Sequence, residues 1–288
     1  VLVDSVRQIL VVFGGRGART FGDTWIFDLT KREWREVKGN SPAPRFGHAV
    51  VYDATNRRMA LIMGEGAGFF NDVWAFDLDK ETWTQLKASA IAPDAPRPRY
   101  GQSAILDGKG RVIVSHGFSD QGRFDDTWAF ELATAKWVNL TPPSGPKPLK
   151  RCLHELVYDA AMERMILFGG CSSGFGPCPQ GDLWSFDLKT NSWTELKPSG
   201  DAPTARQNPT LVYANQQIVL FGGRTSAGAN AETWSYNLAS NRWTKLVGDQ
   251  APAARSSHDM DYDAKSNRII IFGGRGADNL TDIWEWRF

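Results

Sequence analysis

Apolar and polar positions alternate along this chain in short segments, and the segments come in a fixed order. A run ending in a tyrosine–aspartate pair, such as Tyr52-Asp53, Tyr158-Asp159 or Tyr262-Asp263, is followed by a turn rich in Asp, Asn, Lys and Arg. An apolar run then ends in glycine, as in Arg268 to Phe272 before Gly273-Gly274. The next segment alternates with period two, so that Trp25, Phe27 and Leu29 share one face, as do Trp74, Phe76 and Leu78. Turns such as Thr30-Lys31-Arg32 and Lys189-Thr190-Asn191 lead into a fourth segment. Runs of this length bounded by turn residues predict strands, here four antiparallel ones lettered a to d.

This order recurs. Six tryptophans, Trp25, Trp74, Trp128, Trp184, Trp234 and Trp284, each follow an acidic residue by two positions, at separations of 49, 54, 56, 50 and 50 residues. Five have a second tryptophan nine residues on: Trp34, Trp83, Trp137, Trp193 and Trp243. A period near fifty points to a repeat array. One four-stranded sheet with two apolar faces is not stable alone, but six stacked sheets bury both faces of each. The expectation is one all-β domain over residues 1–288, a six-bladed β-propeller with blades near 1–40, 41–92, 93–146, 147–200, 201–250 and 251–288.

The glycine pairs Gly14-Gly15, Gly169-Gly170, Gly222-Gly223 and Gly273-Gly274, the c-strand aromatic and the spaced d-strand tryptophan together resemble the kelch repeat. Blades two and three keep only the second glycine, as Met63-Gly64 and His116-Gly117. The resemblance covers essentially the whole chain. Trp284, Trp286 and Phe288 align with Trp25, Phe27 and Leu29, so blade six stops after strand c, and Val1-Leu2-Val3 matches only the last part of strand a. The blade at the seam is therefore expected to be incomplete, with residues upstream of Val1 supplying its closing strand.

Composition adds exclusions. With 33 basic and 32 acidic residues the net charge is +1, and no basic stripe favours nucleic acid or an anionic membrane. No apolar stretch approaches a membrane span. A monomer or a domain of a larger protein is expected.

Antiparallel order puts the b–c loops and d–a connections on one rim around the channel mouth, and the a–b and c–d turns opposite. Loops on a rigid scaffold carry function, so the first rim is the candidate site. Residues repeated in every blade read as fold, and departures read as function. The position after the glycine pair varies most: Arg16, Glu65, Phe118, Cys171, Arg224 and Arg275. Phe69 and Phe175 are off-pattern aromatics, whereas Phe21, Phe70 and Phe124 repeat and read as packing. Five arginines, Arg45, Arg99, Arg151, Arg206 and Arg255, open strand a, with His48, His154 and His258 three positions later in three blades. The histidines read as packing groups. The arginines are open between an anion-binding ring and inter-strand hydrogen bonding. In peptide-binding kelch proteins, arginines and small polar residues near this position contact the partner, which the resemblance carries to these five and to Ser256.

Cys152, Cys171 and Cys178 fall on one rim of blade four, so a Cys152–Cys171 or Cys171–Cys178 disulfide is expected, with an extracytoplasmic setting as its corollary. A soft-metal site and three thiols are the other readings, and no metal or cofactor is assigned. Gly170-Cys171-Ser172-Ser173-Gly174 fits a nucleophile-elbow string, but no helix follows it. The expected function is a module binding a protein segment or a polar or acidic small molecule on the rim. The alternative is a lyase-, isomerase- or specifier-like kelch enzyme with His116 as acid–base group.

Overall fold

The computed structural model describes residues 1–248 and 251–287. Among the described residues every regular element is a strand. The chain forms two compact units, Val1–Thr141 and Pro142–Phe288. The first holds three four-stranded antiparallel sheets: Leu2–Asp4, Ile9–Arg16, Thr20–Asp28 and Glu33–Val37; then Ala49–Asp53, Arg58–Glu65, Phe69–Asp77 and Thr82–Lys87; then Ser103–Leu106, Arg111–Ser115, Thr127–Glu131 and Lys136–Asn139. The second holds Glu155–Asp159, Arg164–Phe168, Leu183–Asp187 and Ser192–Leu196, followed by Thr210–Ala214, Gln217–Phe221, Thr233–Asn237 and Arg242–Leu246. Its last sheet has three strands, Asp259–Asp263, Arg268–Phe272 and Ile283–Arg287. The strands lie in the order a, b, c, d in five of these sheets and a, b, c in the last, the blade pattern of a six-bladed propeller. Phe288, aligned above with Leu29, lies outside the described residues.

Local chemistry explains the turns. At the a–b turn, Asp53, Asp107, Asp159 and Asp263 accept from the Nε of Arg58, Arg111, Arg164 and Arg268 at 2.8–3.0 Å, clasping the ends of two strands. At the c–d turn the side-chain oxygen of Asp28, Asp77, Asp187 or Asn237 accepts the backbone N–H groups two and three residues on. This is the Asx turn that those residue types favour.

Neighbouring blades within a unit lock through the d-strand tryptophan. Trp83 packs on its own Phe76 and reaches Phe13 of blade one at 5.2 Å, while its Nε1 donates to Thr24 Oγ1 at 2.9 Å. Trp243 meets Tyr236 and, in blade four, Phe168 at 5.5 Å. Apolar cores between the sheets follow, as where Val11, Phe13 and Ile26 of blade one meet Leu61, Phe76 and Leu78 of blade two.

The backbone explains why one glycine of the pair is replaceable. At the first position φ is near +60° in every blade, including Met63 at 63° and His116 at 59°. That left-handed region costs an L-residue roughly 1–2 kcal/mol but admits a side chain. At the second position φ is 106°, 108°, 111°, 98°, 95° and 97° from blade one to six, where only glycine is at ease. The N–H of that second glycine also ties blades together. Gly15 and Gly64 donate to Arg45 O and Arg99 O, and Gly170 and Gly223 to Arg206 O and Arg255 O, at 2.8–2.9 Å.

Candidate functional site

Among the described residues the five strand-a arginines are the largest fully buried side chains, each 0–1% exposed. Arg45 is representative. Its two Nη atoms grip Asp72 at 2.6 and 2.9 Å, Nη1 also donates to Met63 O, and Nε donates to Ala43 O. Asp72 is the acidic residue two before Trp74, and it accepts the indole N–H at 2.8 Å. Arg99 with Asp126 and Trp128, Arg151 with Asp182 and Trp184, and Arg255 with Asp282 and Trp284 repeat the arrangement. In blade five Glu232 replaces aspartate and serves Arg206, Lys245 and Trp234. Desolvation works against that carboxylate, but these three donors hold it down at about 2. The guanidiniums stack as well, with Arg45 over Phe70 at 4.1 Å and Arg99 over Phe124 at 3.8 Å. Every guanidinium nitrogen is engaged inside the blade, so the anion-binding reading of Arg45, Arg99, Arg151, Arg206 and Arg255 gives way to a structural one. Ser256, 7% exposed, is covered with them.

The histidines pack too. Phe13 meets His48 at 5.6 Å and Phe221 meets His258 at 5.2 Å, both edge-on. His258 Nε2 is 2.7 Å from Thr210 Oγ1. Burial, helped by nearby Arg151, pushes His154 down to about 3, and burial likewise brings His258 to about 3. His116 is fully buried, with Nδ1 at 2.6 Å from Ser115 Oγ. Ser172, the central residue of the nucleophile-elbow string, is equally buried.

The variable positions are built differently. After each strand-a arginine comes a residue whose backbone exchanges two hydrogen bonds with the residue after the glycine pair of the same blade. The couples are Phe46 with Glu65, Tyr100 with Phe118, Cys152 with Cys171, Gln207 with Arg224, and Ser256 with Arg275, at 2.7–3.1 Å. A constant backbone bridge thus carries a different pair of residues in each of blades two to six. In the sequence one partner of each bridge stands out by its place after the glycine pair, and Ser256 and Cys152 stand out on other grounds. Phe46, Tyr100 and Gln207 vary between blades just as much but carry no such marker.

In the first unit these pairs converge. Tyr100 lies 5.7 Å from Phe46, 6.0 Å from Phe69 in a stacked orientation, and 5.8 Å from Phe118 edge-on. Phe69 meets Phe118 at 6.5 Å. All four rings are half-buried. The exposed Arg16 guanidinium sits over Phe46 at 4.8 Å, Arg123 lies over Phe118 at 5.4 Å, and Glu65 is half-exposed beside them. Four of the residues singled out from sequence, Arg16, Glu65, Phe69 and Phe118, are therefore brought together with Phe46 and Tyr100.

In the second unit Arg224 and Arg275 are exposed on their loops. Cys171 is bonded to Cys178, one of the two pairings expected, and Cys152 is buried. Phe175 on that loop is 52% exposed, with Lys150 Nζ 5.3 Å above its ring. Among the described residues no group of His, Cys, Asp and Glu is placed to hold a metal ion.

These repeats match the KLHDC2/KLHL20/DRC7 Kelch-repeats domain over residues 1–152 and 138–288. The chain belongs to the kelch-repeat family. It is 28% identical over 214 residues to Kelch repeat-containing protein 2 of Saccharomyces cerevisiae, covering 70% of this chain and 24% of that protein. An F-box/kelch-repeat protein of Arabidopsis thaliana is 25% identical over 258 residues, 78% of this chain and 51% of its own length. Putative adagio-like protein 2 of Oryza sativa is 31% identical over 235 residues, 74% and 36% respectively. The chain thus spans about a quarter to a half of the length of these curated relatives.

Proposed function

We propose that the protein is a binding module that captures a segment of a partner protein on the b–c/d–a rim of blades one to three. Kelch propellers generally serve as protein-binding modules, and this reading names the surface. The observation that carries it is the half-buried cluster of Phe46, Phe69, Tyr100 and Phe118, edged by the exposed Arg16. Aromatic side chains offer large contact area at low conformational cost and are enriched where partners dock. The exposed Arg16 on this rim suits a ligand that also carries an acidic group. The Cys171–Cys178 bond supports work in an oxidising, extracytoplasmic setting. The burial of His116 favours this reading over the enzyme alternative, which used that side chain as its acid–base group.

Peptides selected from a random phage-displayed library on the intact chain test the reading. Phe69→Ala and Arg16→Glu are expected to weaken their binding at least tenfold, about 1.4 kcal/mol, while Lys80→Ala in a c–d turn leaves it unchanged. Peptides that bind both rim variants as well as the parent would overturn it.

A further inference from the structure

Blade four places three sulfurs around one loop. Cys171 is bonded to the exposed Cys178, at a Cα separation of 4.4 Å. Its backbone meanwhile exchanges both hydrogen bonds with the buried Cys152, at 3.1 and 2.8 Å. A hydrogen-bonded antiparallel pair sets its Cα atoms about 5.5 Å apart, inside the roughly 4.4–6.8 Å a disulfide spans. Cys171 therefore stands within bonding range of two cysteines, one at the surface and one in the interior. We propose that this loop is a thiol–disulfide exchange site, in which Cys171 alternates between Cys178 and Cys152 and leaves Cys178 as an exposed, modifiable thiol.

The step balances internally. Cys152 loses its proton and its thiolate attacks Cys171 Sγ. The Cys152–Cys171 bond forms as the Cys171–Cys178 bond breaks, and the electron pair departs on Cys178 Sγ, which takes up a proton. No oxidant or reductant is consumed. A second observation explains what opening the clasp would gain. Ser172 Oγ and Gln180 Nε2 are buried without a hydrogen-bond partner. They flank one point of the loop, since a Cβ on Gly176 would lie 3.5 Å from Gln180 Nε2 and 3.8 Å from Ser172 Cβ. Buried polar groups without partners are costly, and releasing the loop returns them to water. The same release frees Phe175, so the exchange would alter how blade four presents an aromatic on its rim.

The test uses the intact chain, oxidised with oxidised glutathione and then alkylated with iodoacetamide while folded. Non-reducing peptide mapping by mass spectrometry is expected to find both Cys171–Cys178 and Cys152–Cys171 linkages, with alkylation at Cys178. Cys152→Ala should leave only Cys171–Cys178 and slow native labelling of Cys178 at least tenfold. Cys178→Ala, at an exposed position where folding is not at stake, should form the Cys152–Cys171 linkage on oxidation. A parent with only Cys171–Cys178 and no native label at Cys178 overturns the proposal. So does a Cys178→Ala chain that keeps two alkylatable thiols after oxidation, or a parent that keeps three.

Discussion

At the scale of single residues, the repeat separates groups that hold the backbone from groups that are free to change. Gly15 and Gly170 make the separation measurable. Both have φ near +100°, but a Cβ at Gly15 meets nothing within 4 Å, whereas at Gly170 it would press on Cys152 O at 2.8 Å and His154 Cβ at 2.9 Å. Gly15→Ala should therefore cost only the backbone strain, about 1–3 kcal/mol, and Gly170→Ala clearly more, as chemical denaturation of the two variants will read. Arg45→Met removes a fully buried charge from Asp72, and an abandoned buried partner costs about 3–5 kcal/mol. Sequence alone could not assign these arginines. Five arginines at a strand start fit an anion-binding ring as well as they fit five internal clasps, and only their burial against Asp72, Asp126, Asp182, Glu232 and Asp282 decides. Arg16, by contrast, was legible because it stands at the position that changes along the repeat, to Glu65, Phe118 and Cys171 in blades two to four and back to arginine in blades five and six.

At the scale of the blade, strand order, turn chemistry and the d-strand tryptophan were all readable from period and spacing. What spacing did not reveal was the backbone bridge that pairs the residue after each arginine with the residue after each glycine pair. That bridge is a long-range antiparallel contact with no local sequence period, so Phe46 and Tyr100 stayed hidden beside Glu65 and Phe118. The tryptophans carry the energetic prediction. Trp83 is buried between two blades, and Trp83→Ala should cost about 3–5 kcal/mol. Trp34 holds the same place in blade one but is 39% exposed, so Trp34→Ala should cost clearly less in the same unfolding experiment.

At the scale of the molecule, two properties follow: a loss of stability in acid and the location of the binding surface. His154 and His258 stay neutral when folded down to about pH 3 because burial disfavours their charged forms. Unfolded histidine takes up its proton near 6.5. Above that value neither residue makes stability depend on pH. Between about 6.5 and 3 the unfolded chain binds protons the folded chain refuses, so stability falls on acidification by about 1.4 kcal/mol per pH unit for each histidine. The double variant His154→Gln/His258→Gln should lose stability less steeply between about pH 6 and 4, whatever its stability at neutrality. The carboxylates of Asp282 and Glu232, each held at about 2 by their arginine partners and neighbouring donors, extend the loss below about pH 4. Asp282 is chiefly lowered by its hydrogen bonds from Arg255. The binding surface is tested most directly by hydroxyl-radical footprinting of the intact chain with and without a phage-selected peptide. The account predicts that the peptide reduces oxidation of Phe46, Phe69, Tyr100 and Phe118 and leaves Met162, 61% exposed in an a–b turn, unchanged. Unaltered oxidation of the four rings, with protection at Met162 instead, would contradict it.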